Sequence, residues 1–387
     1  MVPVRSTKRQ GEMHILHTFA NNSSVPYLTW FAERAIKEGG IRYTYLIMHE
    51  DRPAMLDEMR ERGFDCEWIP FSMHERKRGL IRALPALTAY MRKYAPDIVH
   101  CNLFDDTLPG LLAARLAGIH TRFTTRQDTG FHWAYARKWM LFDRINNFNS
   151  THIIAISEEC KRFLIEKEGV APDKITLVHN GIPPERFTLQ QQAVMERSRQ
   201  RFKLEKNHVV VGTVARFIEW KGYSRIVQAA ADLVKRHPYL RFLFCGEGVQ
   251  KAEIQRMVRD HGLEDHVLFT GWIDRAEMPS FYGILDIYLH AARLEPFGLV
   301  YPEAMMNAVP VISTPTGAAL DAIRDGANGI LLKDDTAETI IEGMERMLKT
   351  DRQVLGEEGK RTAMSMYHFD VMYNGTINAY RKALELA

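Results

Sequence analysis

The stretch "HVVVGTVARFIEWKGYSRIVQAA", His208 to Ala230, changes period in its middle. It begins as a β-branched strand run ending at Ala215, and after Lys221-Gly222 its apolar residues fall at helical spacing. A buried strand passing through a loop into an amphipathic helix is the repeating piece of a parallel sheet covered by helices. Two cations, Arg216 and Lys221, stand just past the strand end, where an open parallel sheet holds its ligands.

The same rhythm runs outward in both directions. "LRFLFCG", "VLFTGW", "IYLHAA" and "PVISTP" repeat it in the second half, and "HILHTF", "YTYLIM", "DIVHCN", "RFTTR", "HIIAIS" and "ITLVHN" in the first. Helical stretches at 27–37, 80–93, 108–117 and 158–167 lie between the strands of the first half. The predicted class is α/β, with two doubly wound, Rossmann-like units in tandem. A chain of 387 residues is too long for one core, because cores stop growing at about 250–300 residues. "HNGIPPERF", His179 to Phe187, breaks regular structure with Asn-Gly and Pro-Pro. The expected divisions are a flexible leader at 1–12, a first domain at 13–182, a linker at 183–207, a second domain at 208–366 and a closing helix at 367–387. Two facing sheets would leave a cleft between their carboxyl ends.

Hydrophobic residues at 46% and charged residues at 26% are the balance of a water-soluble globular protein. A formal charge of +3 is too slight to argue for nucleic acid, which needs clustered cations. Cys66, Cys101, Cys160 and Cys245 are widely spaced and form no CxxC, so they read as reduced core residues. No apolar run approaches the ~20 residues that span a bilayer, and the start lacks a signal-peptide pattern, so a cytoplasmic protein is expected.

A second segment, "RLEPFGLVYPEA", Arg293 to Ala304, follows the strand run "IYLHAA". Pro296 and Gly298 disfavour helix, whereas Pro302 is tolerated in a first helical turn, so a helix should start near Leu299 with Glu295 before it and Glu303 inside it. The backbone N–H groups of Phe297, Gly298 and Leu299 would then lack intrahelical partners and offer a phosphate site, with the two carboxylates free to accept from sugar hydroxyls. The bland alternative is a favourable first-turn acid and a solvated loop acid. Arg216 and Lys221 can neutralise a diphosphate leaving group, or be two solvated cations. "FCGEGVQ" places Gly246 and Gly248 after another strand, but Lys251 breaks a GxGxxG, so only a tight turn is implied.

Taken in order, Arg216 with Lys221, Gly246-Glu247-Gly248, Glu295 to Glu303, "EAMMNAVPVISTPTGA" and "DGANGILL" resemble the donor half of the retaining GT-B glycosyltransferases of family 4. The resemblance implies a sugar transferred from a nucleotide-diphosphate donor, most often a UDP-sugar, to a glycan or lipid-linked acceptor. Arg216 and Lys221, with backbone N–H groups of Gly298 and Leu299, would hold the diphosphate. Glu303 would hold the ribose, Glu295 the transferred sugar, and the loop at Thr270-Gly271-Trp272 would lie near the base. No Asp-x-Asp occurs, so neither a metal nor another cofactor is expected, and the two cations stand in for the metal.

The first domain departs from the family pattern. Where many members carry a glycine-rich loop, this chain reads "FANNSSVPY", leaving Asn22, Ser23 and Ser24 as acceptor-side candidates. The region where many members place a histidine near the sugar reads "TTRQDTGFHW", which gives His132 and Asp128 as catalytic candidates and Arg126 as an acceptor-side one. A basic segment within His74 to Tyr94 has an amphipathic pattern that could meet an anionic membrane through 76–94, or simply be a solvated helix face interrupted by Pro85. An epimerase or hydrolase of nucleotide sugars, or a non-catalytic binding module, would use the same pocket.

Overall fold

The structure is a computed structural model that describes residues 12–20, 26–72, 76–130, 133 and 136–386. The chain divides into two compact units. The first holds residues up to Ile156, 160–178 and everything from Tyr373 on; the second holds 157–159 and 179–372.

In the first unit strands and helices alternate: β1 (Met13–Phe19), α1 (Pro26–Glu38), β2 (Ile41–His49), α2 (Met55–Glu61), β3 (Asp65–Pro70), α3 (Arg76–Tyr94) and β4 (Ile98–Cys101). Then come α4 (Phe104–Leu116), β5 (Thr121–Arg126), α5 (Met140–Asn149), β6 (His152–Ala155), α6 (Glu158–Glu166) and β7 (Ile175–Leu177). The strands make one seven-stranded sheet in the order β3-β2-β1-β4-β5-β6-β7, with every ladder parallel. Right-handed crossovers put α3, α4, α5 and α6 on one face and α1 and α2 on the other. Both faces are therefore covered, and in β2 the consecutive Tyr45, Leu46, Ile47 and Met48 are all buried. The order reverses between β1 and β4, and there the buried Asp106 of α4 accepts from the Thr18 hydroxyl at 2.8 Å and from the N–H groups of Asn102 and Leu103 at 3.0 and 2.9 Å.

The second unit carries α7 (Pro184–Phe187), α8 (Gln192–Arg201), β8 (Val209–Val214), α9 (Tyr223–Arg236), β9 (Leu240–Cys245), α10 (Lys251–Asp260), β10 (Val267–Gly271) and α11 (Met278–Tyr282). It continues with β11 (Ile287–His290), α12 (Val300–Met306), β12 (Val311–Ser313), α13 (Gly317–Ala322), β13 (Ile330–Leu331), α14 (Ala337–Lys349), α15 (Arg352–Met366) and the start of α16 (Phe369–Glu385). Its six parallel strands run β10-β9-β8-β11-β12-β13, so the reversal falls between β8 and β11. From Tyr373 onward α16 belongs to the first unit, where its Tyr380 hydroxyl meets His100 Nδ1.

Three local readings need correction. The stretch 183–207, expected as a linker, folds as α7 and α8 and counts with the second unit, because Phe187, Val194 and Leu204 are buried and anchor an otherwise polar surface. The edge strand β3, "DCEWIP", was missed because an edge strand tolerates polar residues and a terminal proline. Pro85 does not interrupt α3, which runs through it as one helix.

Candidate active site

The reversal between β8 and β11 is where a doubly wound sheet opens a crevice at its carboxyl end. Two loops emerge there. The one after β8 carries Arg216 and closes as a single 3-10 turn, Glu219–Lys221, before α9. The one after β11 carries Glu295 and leads into α12. The backbone joins them, with Arg293 N–H donating to Trp220 O at 2.8 Å.

This pairing brings Lys221 and Glu295, far apart in sequence, into an ion pair between Lys221 Nζ and Glu295 Oε2. The sequence reading gave them separate partners and did not foresee their contact. Burial alone would push the Glu295 carboxyl up, but the neighbouring His290 ring and the Lys221 charge outweigh it and hold it at about 2. Glu295 is an anion throughout the physiological range. His290, the last residue of β11, is fully buried, with Nε2 3.3 Å from Glu295 Oε2 but without an aligned hydrogen bond. Burial lowers its affinity for a proton. Its ring stacks on Tyr288 and meets Tyr301 edge-on. Sequence reasoning missed His290 because it sits in an apolar strand run; a polar residue closing a strand at the reversal was the available signal.

The turn after Glu295 depends on Gly298, whose φ of +78° is a conformation that costs other residues energy. A Cβ there would also lie 2.5 Å from the Tyr301 ring and 2.8 Å from Glu295 Cγ. Phe297 is buried beneath the turn, and its carbonyl accepts from Ala318 N–H at 2.8 Å. Among the described residues the N–H groups of Gly298 and Leu299 have no acceptor. Arg216 is exposed and forms no ion pair with a described residue.

Gly246 and Gly248 serve the close approach of two loops. A Cβ on Gly246 would stand 2.0 Å from Ala215 O, and one on Gly248 would stand 2.4 Å from Phe217 O. Glu303 lies buried in the first turn of α12, accepting from the Tyr282 hydroxyl at 2.9 Å. Burial raises its carboxyl to about 7 against that hydrogen bond. Trp272, just past β10, is 76% exposed and so presents a large free ring.

The first-unit candidates behave differently. At the end of β5, Arg126 is buried and its guanidinium donates to Glu168 at 2.6 and 2.9 Å, with Asp128 at 3.5 Å. Burial alone would weaken the cation's hold on its proton, but the Asp128 and Glu168 carboxylates raise it above its usual range. Asp128 is also occupied by Gly130 N–H at 3.0 Å. Both residues line a cavity of about 240 Å³ with Asn102, Phe104, Thr107 and Asn146. Asn22, Ser23, Ser24 and His132 lie outside the described residues.

Two Rossmann-like parallel sheets, each reversing its strand order once, define the GT-B class of fold. The profile described as "Glycosyl transferases group 1" matches residues 194–362, and "Glycosyltransferase Family 4" matches 31–186. The putative glycosyltransferase EpsF of Bacillus subtilis is 30% identical over 308 residues, 78% of this chain and 79% of the relative. The 2-deoxystreptamine glucosyltransferase of Streptomyces kanamyceticus is 26% identical, over 72% of this chain and 75% of its own. Among solved structures, HepE of Anabaena in complex with UDP and glucose superposes with a TM-score of 0.80 at 16% identity, covering 96% of this chain and 100% of that one. The chain belongs to the family 4 glycosyltransferases, the group 1 glycosyl transferases, and it is a glycosyltransferase.

Proposed function

We propose that this enzyme transfers a sugar from a nucleoside-diphosphate donor, with UDP as the nucleotide, to a glycan or lipid-linked acceptor, and that it retains the anomeric configuration. The observation that carries the reading is the Lys221–Glu295 pair beside the unbonded N–H groups of Gly298 and Leu299, at the carboxyl ends of β8 and β11. Lys221 and Arg216 meet the diphosphate, and Glu295, released from Lys221, accepts from hydroxyls of the sugar. The bond between the anomeric carbon and the diphosphate oxygen breaks. The acceptor oxygen bonds to that carbon from the same face, and its proton passes to the leaving phosphate. Charge develops on the diphosphate as it leaves, so fixed cations there lower the barrier.

Glu303 holds the ribose hydroxyls and the exposed Trp272 lies by the base. The choice of uridine is supported by the UDP in the HepE complex. The cavity of about 240 Å³ beside Arg126 takes one sugar unit of the acceptor, since sites for larger molecules usually exceed about 300 Å³. Names among the relatives, such as the capsular polysaccharide glycosyltransferase of Staphylococcus aureus, support a product in polysaccharide or glycolipid synthesis. No metal takes part, because Lys221 and Arg216 carry the counter-charge.

The test is a panel of UDP- and GDP-sugars scored for thermal stabilisation and slow release of nucleoside diphosphate, repeated with EDTA. Stabilisation by a UDP-sugar, slow release that quickens with acceptor, and indifference to EDTA are expected. Interconversion of donors without release would mark an epimerase instead. With an acceptor in hand, the proton coupling at the anomeric carbon of the product reads retention or inversion.

A further inference from the structure

We infer that His290 is a positioning residue for the transfer, holding Glu295 towards the sugar through its Nε2–H once Lys221 has turned to the diphosphate. The inference rests on the proposed contact between Glu295 and the sugar, and it names what keeps that carboxylate in place.

Losing Lys221 leaves Glu295 under-held. Its side chain is 12% exposed, so water replaces the departed cation poorly, and a carboxylate carried on a loop needs a donor fixed by more rigid structure. His290 is built as such a donor. Its backbone sits in the sheet, paired with Ser313 of β12, and its carbonyl accepts from Thr314 N–H at 3.2 Å. Its ring stacks on the buried Tyr288 at 20° and meets the buried Tyr301 at 77°, which fixes its orientation.

The proton on that ring can be placed. Full burial favours the neutral imidazole, so one ring nitrogen carries hydrogen and the other does not. Nε2 stands 3.3 Å from Glu295 Oε2, an anion that can only accept, and a bare Nε2 there would set two lone pairs against each other. Nδ1 stands 3.2 Å from the Tyr288 hydroxyl, which burial keeps protonated and which also lies 3.3 Å from Val214 O. The consistent arrangement has Tyr288 donating to Nδ1 and Nε2–H aimed at Glu295. Nε2 has no aligned partner while Lys221 holds the carboxylate, and a small rotation of Glu295 supplies one. The donor left spare in the resting pair is the one used when the donor sugar is bound.

Two measurements test this on the full chain. Magnetic resonance of isotope-labelled histidine, with the His290 ring assigned from its loss in His290→Gln, needs no substrate and should show the proton on Nε2. A proton on Nδ1 would overturn the inference. With UDP-glucose as the probe and released UDP as the readout, His290→Leu should lower turnover about 10- to 100-fold, the scale of a hydrogen bond to a charged group, while the Kd for UDP stays unchanged in calorimetry. His290→Gln, which keeps an N–H near the place of Nε2, should restore most of the turnover. The double variant His290→Leu/Glu295→Ala should be no slower than Glu295→Ala alone, since both changes remove one coupled contact. Parent turnover in His290→Leu, a weakened Kd for UDP, no rescue by glutamine, or losses that multiply in the double variant would each overturn the inference alone. Full turnover by Glu295→Ala would overturn the proposed role of Glu295 and this inference together.

Discussion

Each unit has an ion pair at a strand end, Arg126 with Glu168 in the first and Lys221 with Glu295 in the second, and their surroundings separate them. The Glu168 side chain is 1% exposed and Asn147 ties the first pair from both sides, donating to Glu168 at 2.6 Å and accepting from Arg126 at 3.3 Å. Around the second pair, donors stand unused: the Gly298 and Leu299 N–H groups and the exposed Arg216. A pair whose carboxylate is buried and shared with an amide is a strut, although the buried Arg126 Nε–H has no partner. A pair with spare donors beside it is a place for a ligand.

The largest expected effect sharpens the first half of that contrast. Glu168→Ala strands a buried guanidinium and should cost about 3–5 kcal/mol of stability, read by urea unfolding. A loss below 1 kcal/mol would mean that water reaches Arg126 and the pair is no strut. Glu295→Ala should lower turnover about 10²–10³-fold, the scale of one preorganised polar contact, with nucleoside diphosphate still bound in calorimetry. Equal loss of diphosphate binding would make Glu295 a strut as well. Lys221→Ala should weaken the nucleoside diphosphate about 10- to 100-fold, as expected for a charge-assisted hydrogen bond. An unchanged Kd breaks the comparison from the other side.

The smallest effects per group come from pH, and their signs follow the kind of group: the buried histidines act one way and the buried carboxyls Asp106 and Glu303, both raised to about 7, act the other. Burial lowers His14 to about 4 and His17 to about 3. The unfolded chain therefore takes up protons below about 6.5 that the folded first unit refuses, and each histidine should cost about 2 kcal/mol between pH 7 and 5. Glu303, raised to about 7, works the other way. The folded second unit holds its proton where the unfolded chain has lost it, so this stability is present at pH 5 and about 2 kcal/mol of it is gone by pH 7. Urea unfolding at pH 5 and 7 should show His17→Asn losing part of the acid sensitivity of the parent chain, and Glu303→Gln losing the fall in stability that the parent's Glu303 brings between pH 5 and 7. An unchanged pH dependence in either variant would refute its assignment.

Much of the second unit was legible because its strands are apolar runs and its loops carry the chemistry in short segments. The helix start near Leu299 followed from Pro296, Gly298 and Pro302, and α12 indeed begins at Val300. The Lys221–Glu295 contact was not legible, since it joins loops separated by three strands. Glu168 was invisible for the same reason, lying 42 residues beyond Arg126. α8 was lost to its polar composition: one buried valine gives too weak a periodicity to read.

The pairing of Lys221 with Glu295 has a bearing on a crowded solution of metabolites. A free hexose brings no anion, so nothing in it can draw Lys221 away, and the carboxylate it would need stays occupied. Under the proposed function, only a sugar that arrives already attached to phosphates separates the two, and the resting enzyme is then blind to the unactivated sugars around it.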